Sequence, residues 1–131
     1  MARIVHVCGA PATGKTWLRQ RLAAELCLPT TSIDEQRLLH GYEDGWPMLV
    51  QVVRGWKAGI VETSGWHRSE KLLRAGNVIF VLLTVCSHAA RRERLCRRLA
   101  DREPLVTLCV DTRQYLDSCL RMGTPLVRYQ A

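Results

Sequence analysis

Residues 9–16 read Gly9-Ala10-Pro11-Ala12-Thr13-Gly14-Lys15-Thr16, and they match the pattern G-x-x-x-x-G-K-[ST] at every fixed position. The motif follows an apolar run at residues 4–8 and precedes a helical pattern, which is the context in which such a loop binds phosphate. Its backbone N–H groups can surround a triphosphate, and the positive end of the following helix dipole adds to the attraction. We therefore predict that this loop binds a nucleoside triphosphate, with Lys15 at the β- and γ-phosphates and Thr16 as a Mg²⁺ ligand. The alternative interpretation is a plain glycine turn.

Patterns typical of strands and helices alternate on both sides of the loop. This alternation predicts an α/β fold, in which a parallel sheet carries helices on both faces. The predicted strands cover residues 3–8, 29–33, 59–63, 78–85 and 125–129. The predicted helices cover residues 15–27, 35–58 and 87–102, and the second of them is interrupted at residues 41–47. The apolar face of the first helix consists of Leu18, Leu22, Ala23 and Leu26.

Residues 104–122 are compatible with two structures. Apolar residues at helical spacing, with Pro104 in the first turn and Gly123 at the end, favour a helix. The alternative is a strand over residues 105–111 that ends in Asp111, which is the pattern of a second magnesium-binding motif. We prefer the helix.

The composition is that of a globular protein, since 47% of the 131 residues are hydrophobic and 24% are charged. This length suits one domain, so we expect residues 1–131 to form a single unit. The longest apolar run, residues 78–86, is too short to span a membrane. The first predicted strand begins at residue 3, so we expect no signal peptide, and the six cysteines form no C-x-x-C pair. We therefore expect a cytoplasmic protein with reduced, buried thiols and no membrane partner.

The chain is strongly basic. Nineteen lysines and arginines against twelve acidic residues give a formal net charge of +7. Such an excess favours anionic partners, nucleotides and nucleic acid among them. A basic surface without a specific partner is an equally good interpretation.

Asp34 lies where the second predicted strand ends, and the ligands of open α/β sheets gather at the carboxyl ends of strands. A carboxylate at that point can take the proton from an acceptor hydroxyl during in-line phosphoryl transfer. Arg37 follows three residues later on the same helical face, where it could hold an anionic group of the acceptor. The structural alternatives are a helix N-cap for Asp34 and a solvated helix arginine for Arg37.

Glu62 lies at the end of the third predicted strand. An acid at this position can hold the water shell of Mg²⁺ or an acceptor hydroxyl, and we assign it to the metal site together with Thr16. The structural alternative is a capping or loop carboxylate.

The predicted helix over residues 87–102 carries four arginines along one side: Arg91, Arg94, Arg98 and Arg102. Phosphoryl transfer needs positive charge around the migrating group, and a lid that bears arginines supplies this charge while excluding water. We expect at least one of them, with Arg94 and Arg98 preferred, to contact phosphate. The alternative is a solvated basic face.

Three features together resemble the small P-loop kinases, and most closely the polynucleotide 5′-hydroxyl kinase-like and the nucleoside or nucleotide kinases. The features are residues 9–16, the D-x-x-R segment from Asp34 to Arg37, and the run Glu93-Arg94-Leu95 with Arg98 and Arg102. The resemblance implies a three-layer sandwich with a five-stranded parallel sheet of order 2-3-1-4-5. It also implies ATP with Mg²⁺, a general base at Asp34, an acceptor-binding arginine at Arg37, and lid arginines at Arg94 and Arg98.

These features lead to the hypothesis of an ATP-dependent phosphotransferase that acts on a hydroxyl of a nucleoside, a nucleotide or a nucleic acid. Kinases of polynucleotide ends and of hydroxymethylated bases in DNA lie within this range. The alternative from another class is a nucleotide-binding NTPase or switch protein that phosphorylates no acceptor. A third alternative, an NTPase that works on nucleic acid, is supported by the basic charge alone.

Overall fold

A parallel β-sheet with helices on both faces organises the chain. The computed structural model describes residues 3–9, 13–63, 78–85, 89–90, 93 and 116–130. Within these residues the strands are β1 (Arg3–Cys8), β2 (Thr30–Ser32), β3 (Ala58–Glu62), β4 (Val78–Val85) and β5 (Leu126–Gln130). The helices are α1 (Lys15–Leu26), α2 (Ile33–His40) and α3 (Gly45–Arg54), and residues 116–121 are also helical. The strands pair in parallel in the order β2-β3-β1-β4-β5, which confirms the predicted sheet.

Strand β1 is central, and its side chains alternate between two helical layers because successive strand residues point to opposite faces. Val7 packs on one face in a cluster with Leu18 of α1. Ile4 packs on the other face in a cluster with Leu49 of α3. The three-layer arrangement expected from the sequence is therefore confirmed. Within the described residues, no helix combines the length and the apolar character needed to cross a bilayer.

Strand β2 is shorter than predicted, and this changes the position of Asp34. The strand ends at Ser32 and α2 begins at Ile33, so Asp34 lies in the first turn of α2 and does not close the strand. The N-cap interpretation of Asp34 is also wrong, because Ser32 is the N-cap and its Oγ accepts a hydrogen bond from the backbone N–H of Glu35 at 3.1 Å. Both corrections have one cause: the extended backbone of Ser32 ends the strand and its hydroxyl starts the helix.

Helix α1 does not bury the whole apolar face predicted for it. Leu18 and Ala23 are buried, but Leu26 is 57% exposed. The helix ends at Leu26, and the left-handed conformation of Cys27 turns the chain so that Leu28 packs against the sheet instead. Cys27 is exposed, contrary to the expectation of buried thiols, whereas Cys8 and Cys119 are buried and free, as expected.

The interruption between α2 and α3 covers residues 41–44, which is shorter than the predicted 41–47. Helix α3 begins at Gly45, so Trp46 and Pro47 belong to its first turn. Proline is tolerated there because its missing N–H would have no partner within the helix. Trp46 is buried in the core cluster beneath α3.

Several sequence-based expectations fall outside the described residues. Residues 89–90 and 93 are helical, as predicted for residues 87–102. Residues 116–121 are also helical, which both interpretations of residues 104–122 allow. The positions outside are residues 10–12 and 104–115 and the arginines Arg91, Arg94, Arg98 and Arg102.

His6 makes the stability of the fold depend on pH. Its ring is fully buried in β1, its Nε2 lies 2.8 Å from the Thr63 hydroxyl, and burial lowers the pKa of His6 from 6.5 to about 3. The folded protein therefore keeps His6 neutral, while the unfolded chain binds a proton below pH 6.5. As pH falls from about 6 towards 3, this difference should lower the free energy of unfolding by about 1.4 kcal/mol per pH unit.

Urea unfolding of the wild type and of His6→Gln at several pH values measures this effect. We expect the two stability curves to converge as the pH is lowered, because glutamine keeps a hydrogen-bonding amide but does not titrate. Parallel curves between pH 6 and 4 would show that His6 does not set the acid sensitivity.

Candidate active site

The phosphate loop begins with a close backbone approach that admits only glycine. Gly9 has φ +152°, and a Cβ at this position would lie 2.5 Å from Thr84 Oγ1 and 2.7 Å from the Thr84 carbonyl oxygen. Thr84 donates to the carbonyl oxygen of Cys8 at 3.3 Å, and the hydroxyls of Thr84 and Thr13 are 2.6 Å apart. Strand β4 thus fixes both the start of the loop and its later part.

The loop ends at the start of α1. Gly14 adopts the left-handed conformation, with φ 89°, and its carbonyl oxygen accepts from the N–H of Leu18 at 3.0 Å. Lys15 and Thr16 are therefore the first two residues of the helix, where backbone N–H groups have no partner within the helix. This arrangement of strand, glycine turn and helix N-terminus is the one that binds phosphate. Helix α1 thus begins at Lys15, as the sequence predicts.

Glu62 lies beside Thr16. It ends β3, is almost fully buried, and its Oε2 accepts a hydrogen bond from Thr16 Oγ1 at 3.3 Å. The structure therefore brings together the two residues that the sequence analysis assigned to Mg²⁺. A hydroxyl and a carboxylate are oxygen donors that suit Mg²⁺, which commonly takes few protein ligands beside the phosphates of its nucleotide. The residues present fit this ion.

Arg19 is the residue of the site that the sequence analysis missed. It lies on α1, one helical turn after Thr16, and only 3% of its side chain is exposed. Its Nε donates to Glu62 Oε1 at 2.8 Å. One oxygen of Glu62 is thus held by a buried cation while the other faces Thr16. No local signal in the sequence identifies Arg19, because a charged residue on a helix is usually solvated.

Strand register places α2 on the same edge of the sheet as the phosphate loop. Ser32 pairs with Glu62, and Glu62 pairs with Val7, so the three residues form one line across β2, β3 and β1. Gly9 and Asp34 each follow this line by two residues, at the carboxyl ends of β1 and β2. Since neighbouring strands are about 4.8 Å apart, the line from Ser32 to Val7 spans roughly 10 Å. That distance leaves room for an acceptor, and Asp34 is exposed there.

Arg37 is not the solvated helix arginine of the alternative interpretation. Its guanidinium carbon lies 3.9 Å from the ring centroid of Tyr42, and its Cγ lies against Gly45. Its Nε and Nη2 are buried and have no hydrogen-bond partner within the described residues. A buried cationic donor without a partner is costly. An anionic group bound at this position would satisfy both nitrogens.

The same region contains further unpartnered atoms. Within the part of the chain that the structure describes, the other buried side-chain atoms without a hydrogen-bond partner are Gln36 Oε1 and Trp46 Nε1. All of these atoms belong to α2 or α3. Native folds satisfy nearly all of their buried polar groups, and Arg37 is the one of these three residues that is not fully buried, so its nitrogens mark the place where a bound molecule could complete the hydrogen bonding.

No family model and no curated protein matches the chain, but solved structures do. A protein from Chloroflexus aurantiacus that is provisionally described as a kinase is 21% identical to this chain, with a TM-score of 0.67. The match covers 98% of this chain and 85% of that protein. Shikimate kinase from Acinetobacter baumannii, solved with shikimate, is 13% identical with a TM-score of 0.65, over 100% of this chain and 85% of its own. A gluconokinase from Sinorhizobium meliloti is 20% identical with a TM-score of 0.61, over 98% of this chain and 82% of its own. This chain has the α/β fold of the P-loop kinases.

Proposed function

We propose that this chain is an ATP-dependent kinase that transfers the γ-phosphate to a hydroxyl of a small molecule bearing an anionic group. The proposal depends above all on one arrangement. The Thr16–Glu62 contact at the phosphate loop lies on the same edge of the sheet as the first turn of α2, which carries Asp34. The fold shared with small-molecule kinases supports the same activity.

The nucleotide half of the proposed site consists of residues 9–16 and Glu62. Backbone N–H groups of the loop and the ammonium of Lys15 bind the triphosphate of ATP, as in other loops of this pattern. Thr16 and Glu62 would hold Mg²⁺, which neutralises charge on the β- and γ-phosphates when it is bound. Arg19 pairs with the buried Glu62 and fixes which of its oxygens faces Thr16.

Asp34 is the general base of the proposed reaction. Its carboxylate accepts the proton of the acceptor hydroxyl as the hydroxyl oxygen attacks the γ-phosphorus and the bond to the β-phosphate oxygen breaks. Its place in the first turn of α2, exposed at the carboxyl end of β2, allows it to reach a molecule that lies between α2 and the phosphate loop.

Arg37 binds the anionic group of the acceptor. Its two buried, unpartnered nitrogens form a donor pair that matches the two oxygens of a carboxylate or a phosphate. Stacking on Tyr42 fixes the plane of the guanidinium. Small-molecule acceptors are favoured over nucleic acid because two of the similar structures are kinases of small molecules. A polynucleotide acceptor stays a prediction from the sequence.

Transfer of label from γ-labelled ATP tests the proposal. The panel consists of hydroxy acids, sugar phosphates, nucleosides, nucleotides, 5′-hydroxyl DNA and DNA with hydroxymethylated bases. We expect label on a small molecule that carries a carboxylate or a phosphate. Label on DNA would identify a nucleic-acid kinase. Label in inorganic phosphate alone would identify the NTPase or switch protein and contradict the proposal.

Arg37→Gln should weaken the binding of the acceptor and leave the binding of ATP unchanged. A hydrogen bond to a charged group contributes about 1.5–3 kcal/mol, so KM for the acceptor should rise roughly tenfold to a hundredfold while KM for ATP stays constant. Steady-state kinetics with the acceptor from the panel measures both constants. His40→Gln, an exposed position on the same helix, is the matched control. An unchanged KM for the acceptor would remove Arg37 from the site.

A further inference from the structure

Arg19 forms ion pairs with both halves of the proposed site, the nucleotide half at Glu62 and the acceptor half at α2. Besides Glu62, it contacts Glu35 of α2, with Nη2 at 3.0 Å from Glu35 Oε1. Its third donor group, Nη1, lies 3.2 Å from Thr30 Oγ1 on β2. One guanidinium on α1 thus contacts the end of β3, the start of β2 and the first turn of α2.

The planar fork of arginine is what makes this possible. Arginine carries five N–H donors in fixed directions, whereas the ammonium of lysine is a single point of charge. Each of the three nitrogens of Arg19 has its own acceptor. The side chain of Arg19 is 3% exposed, so its hydrogen bond to Glu62 is shielded from water, whereas Glu35 is 47% exposed. Its position therefore sets the distances between the elements that it contacts.

Glu35 is firmly held at the other end of this link. Its backbone N–H donates to the N-cap Ser32, and its Oε2 accepts from Thr31 Oγ1 at 3.3 Å. Asp34, the proposed base, is the residue immediately before it. A shift of Glu35 relative to α1 would therefore move the backbone that carries Asp34.

We propose that Arg19 is a positioning residue that couples the nucleotide half of the site to the acceptor half. Through Glu62 it responds to what is bound at Thr16, and through Glu35 it fixes the first turn of α2. Occupancy of the phosphate loop by Mg²⁺ and nucleotide then stabilises α2 in the position that presents Asp34 to the acceptor. The role of Asp34 in this inference rests on the proposed kinase function, whereas the coupling itself requires only that the loop binds nucleotide.

Amide hydrogen exchange of residues 33–40, with and without Mg²⁺ and an ATP analogue whose γ-phosphate cannot be transferred, measures the coupling. In the wild type, we expect the analogue to slow exchange in α2 by about fivefold or more. Glu35→Ala should abolish this slowing while leaving the dissociation constant of the analogue unchanged. Glu25→Ala is the matched control, because Glu25 forms an exposed ion pair with Arg21 on α1. It should respond as the wild type does.

Arg19→Lys provides a second, independent variant. Lysine can still pair with Glu62 but cannot contact Glu35 at the same time. In this variant the ATP analogue should therefore no longer slow amide exchange in α2. In the transfer reaction, both variants should lower kcat by about tenfold or more at constant KM for ATP, as expected for a misplaced base.

The exchange response distinguishes failure of this inference from failure of the proposed function. Equal slowing of α2 exchange in the wild type and Glu35→Ala, or none in the wild type, would overturn the coupling. Absence of any phosphorylated acceptor would overturn the kinase assignment but would leave the exchange result intact, since exchange reports on nucleotide binding alone.

Discussion

Asp34→Asn is expected to slow phosphoryl transfer by about a thousandfold, because general base catalysis contributes roughly 10²–10⁴ to such reactions. Asparagine has nearly the same shape as aspartate but cannot accept the hydroxyl proton. Binding of Mg²⁺ and ATP should not change, since Asp34 lies in α2 and the phosphate loop connects β1 to α1. Single-turnover transfer of label, with the dissociation constant of ATP from calorimetry, separates the two effects.

A carboxylate elsewhere on the surface serves as the control for this variant. Asp117 is exposed within the helical residues 116–121, and Asp117→Asn should transfer phosphate at the wild-type rate. If Asp34→Asn lost ATP affinity together with activity, its role would be in nucleotide binding or in folding. If it kept the wild-type rate, another group would be the base.

Glu62→Ala is expected to lower the free energy of unfolding by about 3 kcal/mol, because it breaks a buried ion pair and leaves Arg19 with the 47% exposed Glu35 as its remaining charged partner. Arg19 and Glu62 are 3% and 5% exposed and make a 2.8 Å contact. Chemical denaturation measures the loss. The Arg21–Glu25 pair is the control, since both side chains are 61% exposed, and Glu25→Ala should cost less than about 1 kcal/mol.

The double variant Arg19→Met/Glu62→Leu separates the cost of a broken pair from the value of the pair itself. Apolar residues of similar volume often replace a buried ion pair without loss of stability. We therefore expect the double variant to be more stable than Glu62→Ala while losing Mg²⁺-dependent nucleotide affinity. If Glu62→Ala lowered the free energy of unfolding no more than Glu25→Ala does, the buried ion pair would not contribute to the stability of the fold.

The sheet was the most predictable part of the molecule. Strand β4 has the predicted bounds, 78–85, and β1 has the predicted bounds, 3–8. Central strands of a parallel sheet are covered by helices on both faces, so they read as continuous apolar runs with little ambiguity. The need for glycine at the start of the loop has an equally direct cause, since a Cβ at Gly9 would lie 2.5 Å from Thr84 Oγ1.

The start of α2 was misplaced although the sequence contains a signal for it. Ser32-Ile33-Asp34-Glu35 has the S-x-x-E spacing of a capping box, and Ser32 does accept from the N–H of Glu35. In sequence, a polar residue at the end of a strand is indistinguishable from a helix N-cap, so the prediction extended the strand past Ser32 to residue 33. Asp34 therefore belongs to α2 and not to β2, but it still lies at the carboxyl edge of the sheet.

The role of Arg19 could not be read from local sequence. A charged residue on a helix is usually solvated, and its partner Glu62 is 43 positions away in the chain. Only the pairing of the strands and the packing of α1 against β3 bring the two side chains together. The same holds for Arg37, whose contact with Tyr42 depends on the turn between α2 and α3.

A structure of the protein with Mg²⁺, a non-transferable ATP analogue and the acceptor tests the central claim most directly. The quantity to measure is the distance from the Asp34 carboxylate to the γ-phosphorus. A base within about 3 Å of a hydroxyl that itself lies about 3 Å from phosphorus predicts a separation of roughly 6 Å. A carboxylate that points away from the loop, or lies more than an acceptor's width from the γ-phosphate, would contradict the account.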